Sequence, residues 1–136
     1  MNIIVRKAKL EDSEKLALFF LECRRNSFYW HKPEIFKLDD FAKQTENEII
    51  FIAEKDNAIV GFISIWEEDS FIHHLFIKPE NQKQGLGRLL IRSLYSWLPL
   101  PYRLKCDTQN LNALEFYNKT GFIEIGKGIG DHGEYM

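Results

Sequence analysis

The sequence predicts an α/β (α+β) fold in which a mixed, mostly antiparallel sheet with one parallel strand pair carries helices on both faces. Apolar residues repeat at helical spacing in three segments, and short turns separate β-branched runs as in hairpins. The segment 71–108 reads as strand, helix, strand, which requires two parallel strands. The 136 residues suffice for one core, and we expect residues 1–136 to form a single domain.

The first half of the chain is predicted to supply three strands and two helices. Glu11, Asp12 and Ser13 offer helix caps, and Leu16 to Cys23 then follow a helical period. Lys55-Asp56-Asn57 is typical of a hairpin turn. The predicted elements are a strand at 2–6, a helix ending near residues 24–26, a short helix at 34–44, and strands at 49–54 and 58–66.

The second half is predicted to alternate strands and helices. Pro79 stops a strand, and Pro99 and Pro101 end an amphipathic helix. Gly121 is suited to cap the helix before it. The predicted elements are strands at 71–77, 102–108 and 122–125, and helices at 86–97 and 112–120.

Composition excludes several classes of protein. Hydrophobic residues are 45% of the chain, which is too many for a disordered segment, and the net charge of −2 argues against strong binding to nucleic acid. No apolar run is long enough to span a membrane. Cys23 and Cys106 lack metal-ligand spacing, so we expect a cytoplasmic protein with reduced thiols and no metal site.

The segment Gln82-Lys83-Gln84-Gly85-Leu86-Gly87-Arg88 lies between a predicted strand and a predicted helix. Backbone N–H groups at a helix start have no internal partners, and glycines without Cβ let an anion approach them. Lys83 and Arg88 add positive charge where the helix dipole disfavours it, which suits a bound phosphate. The alternative is a plain glycine turn. The patterns GK[ST] and GxGxxG are absent, so neither a P-loop nor a dinucleotide fingerprint is indicated.

The pattern Q-x-x-G-x-G at Gln82, Gly85 and Gly87 resembles the signature of the GCN5-related N-acetyltransferases, which use acetyl-CoA. Residues 110–122 are similar to a second motif of that family, N-x-x-A-x-x-F-Y-x-x-x-G-F. The resemblance covers nearly the whole chain. It implies direct acetyl transfer, in a ternary complex, from acetyl-CoA to a small-molecule amine or a protein amino group.

The resemblance also assigns the cofactor-binding residues. The end of the fourth strand is expected to lend backbone groups to the pantetheine arm and the thioester carbonyl, and the glycine loop to hold the pyrophosphate. Asn110 is placed where the family often contacts the cofactor, although a helix-cap role explains an Asn there equally well. The implied residues are Leu75, Phe76, Ile77, Lys83, Gln84, Gly85, Leu86, Gly87, Arg88 and Asn110.

Catalysis needs an acid for the leaving thiolate and a base for the amine. Tyr117 is placed where the family has its general acid, and a phenol with a pKa near ~10 can protonate a thiolate; the alternative is a packed aromatic beside Phe116. His73, His74, Glu67, Glu68 and water are candidates for the base. Strand alternation puts the two histidines on opposite sides, and the resemblance selects His73, two residues before Leu75.

The acceptor itself is not identified by the sequence. Phe28, Tyr29, Trp30 and His31 fall where the family builds its acceptor pocket, with Trp66 and Glu67 at a nearby strand end; core packing is the alternative. The main competing function is a noncatalytic acyl-CoA-binding sensor, and a toxin acting on charged tRNA is disfavoured by the acidic balance. We expect a monomer or a homodimer, whose second subunit could complete the short last strand.

Overall fold

The computed structural model describes residues 3–27, 32–126, 128–130 and 133–135. The chain forms two compact units, Met1–Arg103 and Leu104–Met136. That residues 1–136 make up a single domain stays a prediction. No helix in the described ranges combines the length and the apolar character needed to cross a membrane.

Among the described residues, the main sheet has five strands in the order β1-β2-β3-β4-β5. The strands β1 to β4 pair antiparallel, and β5 supplies the one parallel pair, so the predicted mixed sheet is confirmed. The β2–β3 hairpin turns at Asp56 and Asn57, which both have positive φ. The bounds of the strands are β1 Ile3–Lys7, β2 Ile49–Lys55, β3 Ala58–Trp66, β4 Phe71–Ile77 and β5 Arg103–Leu104.

The described residues of the first unit include the α-helices α1 Ser13–Ser27, α2 Asp40–Gln44 and α3 Leu86–Arg92. The helix α2 is shorter than the helix predicted at 34–44. The Asp40 carboxylate accepts the Lys37 backbone N–H at 3.0 Å and holds the residues before α2 in a turn. The predicted helix at 86–97 is also shorter. After Arg92 the chain tightens into i→i+3 turns, in which the Leu94 N–H donates to the Ile91 carbonyl at 3.0 Å.

The helices cover both faces of the sheet. Phe62 lies in the core with Leu16 and Phe20 of α1 and with Phe41 of α2. Phe51 belongs to the opposite face because neighbouring residues of a strand alternate, and its ring stacks on Trp97 beyond α3 at 5.6 Å between centroids. The predicted placement of helices on both faces is therefore confirmed.

Asp12 ties the start of α1 to the sheet. Its carboxylate accepts two hydrogen bonds of 2.8 Å from the Arg6 guanidinium, which also contacts Glu54, and one of 2.7 Å from the Lys9 backbone N–H. The Arg6 side chain and then the Lys9 N–H hold the pKa of Asp12 well below its usual value of 3.8. The carboxylate is therefore the form that stabilises the folded state.

Asp12→Asn should lower the free energy of unfolding at pH 7 by about 1–2 kcal/mol. Because the folded-state pKa of Asp12 is depressed, its stabilisation is present above pH 3.8 and is lost as the pH falls below that value. Urea midpoints at pH 7 and at pH 3 should show the gap between wild type and Asp12→Asn narrowing at the lower pH. Glu11→Gln, at the exposed neighbouring residue, is the control for loss of one charge, and an equal effect of both variants would contradict this account.

The second unit contains α4 Leu111–Lys119 and a small antiparallel hairpin, β6 Gly128–Gly130 with β7 Gly133–Tyr135. The predicted strand at 102–108 is reduced to β5. The predicted strand at 122–125 is wrong: these residues are irregular, and Ile123 and Ile125 are 83% and 86% exposed. An apolar alternation becomes a strand only where a neighbouring strand accepts its hydrogen bonds. Completion by a second subunit remains untested.

Candidate active site

The glycine loop connects the end of β4 to α3. The Gln82 side-chain amide donates to the Ile77 carbonyl at 3.1 Å, which ties the first residue of the motif to the strand end. Lys83 and Gly85 both have left-handed backbone conformations, with φ of 62° and 83°. The glycine at 85 is therefore required by the turn as well as by any close approach of a ligand.

The loop presents backbone donors and positive charge together. The first bond of α3 runs from the Leu89 N–H to the Gly85 carbonyl at 3.0 Å. Within the described ranges, the N–H groups of residues 83–88 have no hydrogen-bond acceptor, and Lys83 and Arg88 are exposed without an ion-pair partner. Such a group of donors and cations can bind an anion such as a phosphate.

Among the other residues predicted to bind the cofactor, the Leu86 and Phe76 side chains pack within the first unit. Leu86 is 2% exposed and points into the core, and Gly87 is buried. The Phe76 ring stacks on Phe62 at 5.9 Å between centroids. Gly61 of β3 faces this strand end, where an added Cβ would lie 2.8 Å from the Phe76 carbonyl oxygen. The missing side chain lets β3 approach the end of β4 closely.

A β-bulge in β4 overturns the expectation that His73 and His74 face opposite sides of the strand. Ser64 of β3 pairs with His74 and Ile65 pairs with Ile72, so His73 is the extra residue. The two imidazole rings lie 3.9 Å apart between centroids. The bulge therefore places the two imidazole rings next to each other.

His74 is a buried structural residue. Its Nδ1 lies 2.9 Å from the Ser64 hydroxyl and its Nε2 lies 3.0 Å from the Gln44 side-chain oxygen. Burial, followed by electrostatic interactions with His73 and Arg24, lowers the pKa of His74 well below 6.5. The ring is neutral and packs edge-on against Phe20 at 4.8 Å.

His73 is the accessible member of the pair. Its Nδ1 lies 2.6 Å from Glu48 Oε2, and its side chain is 35% exposed. Glu48, in contrast, is only 5% exposed, and its second oxygen, Oε1, is buried without a hydrogen-bond partner among the described residues. Sequence reasoning missed Glu48, since no motif or spacing marks it. The other predicted base candidates, Glu67 and Glu68, lie exposed on a 3₁₀ turn.

Tyr117 and Asn110 belong to the second unit. The Tyr117 ring lies 5.4 Å from Phe116 and 5.5 Å from Phe122 between centroids, and its hydroxyl has no hydrogen-bond partner among the described residues. Burial and then the proximity of Cys106 raise the pKa of Tyr117, which keeps the phenol protonated. The Asn110 side chain accepts the Ala113 N–H at 3.3 Å and caps α4.

The predicted acceptor-pocket aromatics and the two cysteines differ in what the structure describes. The aromatic segment of Phe28, Tyr29, Trp30 and His31 lies outside the described residues. Cys23 and Cys106 are buried, and burial raises the pKa of each thiol to about 12. Neither cysteine is therefore a ready nucleophile, because the thiolate is the reactive form.

Comparison with known proteins identifies the family. The family model of the acetyltransferase (GNAT) domain matches residues 30–133, and the chain belongs to this family. An "uncharacterized N-acetyltransferase in lysA 3′ region" of Bacillus methanolicus is 27% identical over 92 residues, 63% of this chain and 72% of that relative. The protein is thus an acetyltransferase.

Three solved structures share the fold. The solution structure of apo-form YjaB from Escherichia coli has a TM-score of 0.81 at 23% identity and covers 99% of this chain and 95% of its own. A GCN5-related N-acetyltransferase structure from Rhodopseudomonas palustris has a TM-score of 0.80 at 21% identity, covering 100% and 91%. The PaiA N-acetyltransferase of Thermoplasma acidophilum, in complex with coenzyme A, has a TM-score of 0.74 at 23% identity, covering 99% and 96%.

Proposed function

We propose that the protein is an acetyl-CoA-dependent N-acetyltransferase that moves the acetyl group directly to an amine within a ternary complex. The observation that carries this proposal is the loop at residues 82–88, in which the N–H groups of residues 83–88 have no acceptor among the described residues and lie beside two exposed cations. The similar PaiA structure holds coenzyme A, which supports a coenzyme A thioester as the donor. The family assignment supports the acetyl group.

The proposed cofactor contacts follow from the chemistry of acetyl-CoA. Its pyrophosphate accepts hydrogen bonds from the loop, and its pantetheine arm and thioester meet the backbone at the end of β4. The role of Asn110 is carried over from the family, in addition to its capping bond. The proposed cofactor-binding residues are Leu75, Phe76, Ile77, Lys83, Gln84, Gly85, Leu86, Gly87, Arg88 and Asn110.

His73 and Tyr117 are the proposed catalytic residues. At pH 7, removing the proton of an alkylammonium costs about 4–5 kcal/mol, since its pKa lies roughly 3.4 units above the solution pH. His73, held by the buried Glu48 carboxylate, accepts this proton, and the amine nitrogen attacks the thioester carbonyl carbon. The carbon–sulfur bond then breaks, and Tyr117 donates its proton to the thiolate, a role taken from the family motif. The nitrogen releases its extra proton to water as the amide forms, and the Tyr117 phenolate takes a proton back from water.

Several finer expectations remain proposals. The acceptor is a small-molecule amine or a protein amino group, and the chain acts as a monomer or a homodimer. The cytoplasmic location, the absence of a nucleic-acid partner and the absence of a catalytic metal stay predictions from the sequence.

The test of the proposed function is thiol release. Mixing the protein, acetyl-CoA and each member of a panel of primary amines should release coenzyme A thiol with at least one amine, and the release should stop when acetyl-CoA is exhausted. Binding of acetyl-CoA without thiol release, for every amine and for lysine-containing peptides, would instead indicate the noncatalytic sensor.

Gly85→Ala should weaken acetyl-CoA binding at least tenfold, about 1.4 kcal/mol. The space that a Cβ would enter at Gly85 is open, and in this proposal the pyrophosphate occupies it. Gly121→Ala is a matched control, because Gly121 is also left-handed, with φ of 99°, and also has open space at that position. Both variants should lose similar stability, but calorimetry should detect weaker binding only for Gly85→Ala. Unchanged affinity in Gly85→Ala would remove the loop from the cofactor site.

A further inference from the structure

We propose that Glu48, His73 and His74 form a binding site for a divalent transition-metal ion, for which Zn²⁺ is the best match. Each residue offers one ligand atom, a ring nitrogen or a carboxylate oxygen, and these atoms lie within 4.8 Å of one another. Two imidazoles and one carboxylate are a donor set that zinc accepts, with the remaining position left to water. All three residues belong to the first unit.

The β-bulge is what assembles the site. In a regular strand the two adjacent histidines would point to opposite faces and could not share an ion. The extra residue at His73 brings the rings to 3.9 Å between centroids, and the Glu48 carboxylate reaches the same place from the segment before β2.

Glu48 supplies a buried oxygen that needs a partner. Its side chain is 5% exposed, its Oε2 contacts His73 Nδ1 at 2.6 Å, and its Oε1 has no hydrogen bond among the described residues. A buried carboxylate oxygen without a partner is costly, and a cation satisfies it directly. Zinc–ligand distances of about 2.0–2.2 Å require the His73–Glu48 contact to open only slightly.

His74 Nε2 faces the Gln44 side-chain oxygen at 3.0 Å, and because that oxygen only accepts, a metal ion at Nε2 requires the ring proton to move to Nδ1. Metal-binding imidazoles use one nitrogen for the ion and donate the other N–H to a fixed acceptor. The buried Ser64 hydroxyl, 2.9 Å from His74 Nδ1, can be that acceptor. Gln44 Oε1, 3.0 Å from Nε2, then either moves aside or adds an oxygen ligand.

The site has a consequence for catalysis that rests on the proposed function. An ion bound to His73 occupies the lone pair that would accept the proton of the amine. Zinc should therefore inhibit acetyl transfer, and a chelator should restore it. The exposed side of His73 gives the ion a route to the site.

The site is tested by metal binding with neither acetyl-CoA nor amine present. Chelator-treated full-length protein should bind one Zn²⁺ per chain with a Kd of about 1 µM or lower by calorimetry. Co²⁺ should bind at the same site and give visible absorption bands of a low-coordinate ion. Glu48→Gln and His73→Asn should each weaken zinc binding at least about tenfold. Glu46→Gln, an exposed residue two positions away with the same change of charge, should bind zinc as the wild type does.

Three results would overturn the metal site: no saturable binding, equal affinity in Glu48→Gln and wild type, or a sulfur-to-cobalt band showing that a cysteine is the ligand. The zinc titration tests the metal site, and the acetyl-transfer assay tests the proposed function, so a negative result in one leaves the other claim standing. Zinc binding without any acetyl transfer would keep the metal site and reject the proposed function. Zinc binding with undiminished transfer would keep the site and remove His73 as the base.

Discussion

Tyr117→Phe should lower kcat by about 10²–10⁴-fold while acetyl-CoA affinity stays nearly unchanged. The substitution removes only the hydroxyl, so the ring contacts with Phe116 and Phe122 persist and the unit should fold normally. Burial raises the pKa of this phenol, so the group carries its proton at neutral pH. Single-turnover kinetics and calorimetry on the same preparation separate the chemical step from binding.

Tyr95→Phe is the matched control, because Tyr95 is 62% exposed and loses the same single atom. Its kcat should equal that of the wild type. If Tyr117→Phe reduces kcat by less than about threefold, water or another group protonates the thiolate, and Tyr117 is only a packed aromatic residue.

His73→Asn should lower kcat by about 10²-fold with strongly basic alkylamines and by much less with weakly basic amines. A weakly basic amine is already neutral at pH 7, so it does not need a base before attack. Glu48→Gln leaves the His73 imidazole present but removes the carboxylate charge that orients it. We expect a smaller loss of kcat than in His73→Asn, with the same dependence on amine basicity. The readout is kcat across the amine panel.

His74→Asn provides the contrast. It removes a buried ring that contacts Ser64, Gln44 and Phe20, so it should chiefly lower the unfolding free energy. If His73→Asn loses the same factor with every amine, His73 does not act as the base, and a water chain becomes the better candidate.

Local sequence signals predicted the three central strands well. β3 and β4 have the predicted bounds and β2 differs by one residue, because β-branched runs between strong turn residues leave little choice of register. The loop between β4 and α3 was also predicted, since Gly85 has the left-handed φ that such a turn needs.

The features that define the histidine cluster could not be predicted locally. The bulge at His73 depends on pairing that involves Ser64 and Ile65, eight to nine residues away and on another strand. The contact of His73 with Glu48 joins residues 25 positions apart, and no spacing rule connects them. Residues 122–125 form no strand for a related reason. Apolar alternation shows a preference for extended backbone, but it does not show whether a neighbouring strand is there to pair with.

The most direct test of direct acetyl transfer follows an isotope-labelled acetyl group by mass spectrometry. Protein, labelled acetyl-CoA and an accepted amine should yield labelled acetyl-amine and coenzyme A in equal amounts. The protein incubated with labelled acetyl-CoA alone should keep its unmodified mass, consistent with buried Cys23 and Cys106 thiols whose pKa is about 12. A labelled acetyl-protein that passes its label to the amine would contradict transfer within a ternary complex, and no labelled amine from any acceptor would contradict the proposed function itself.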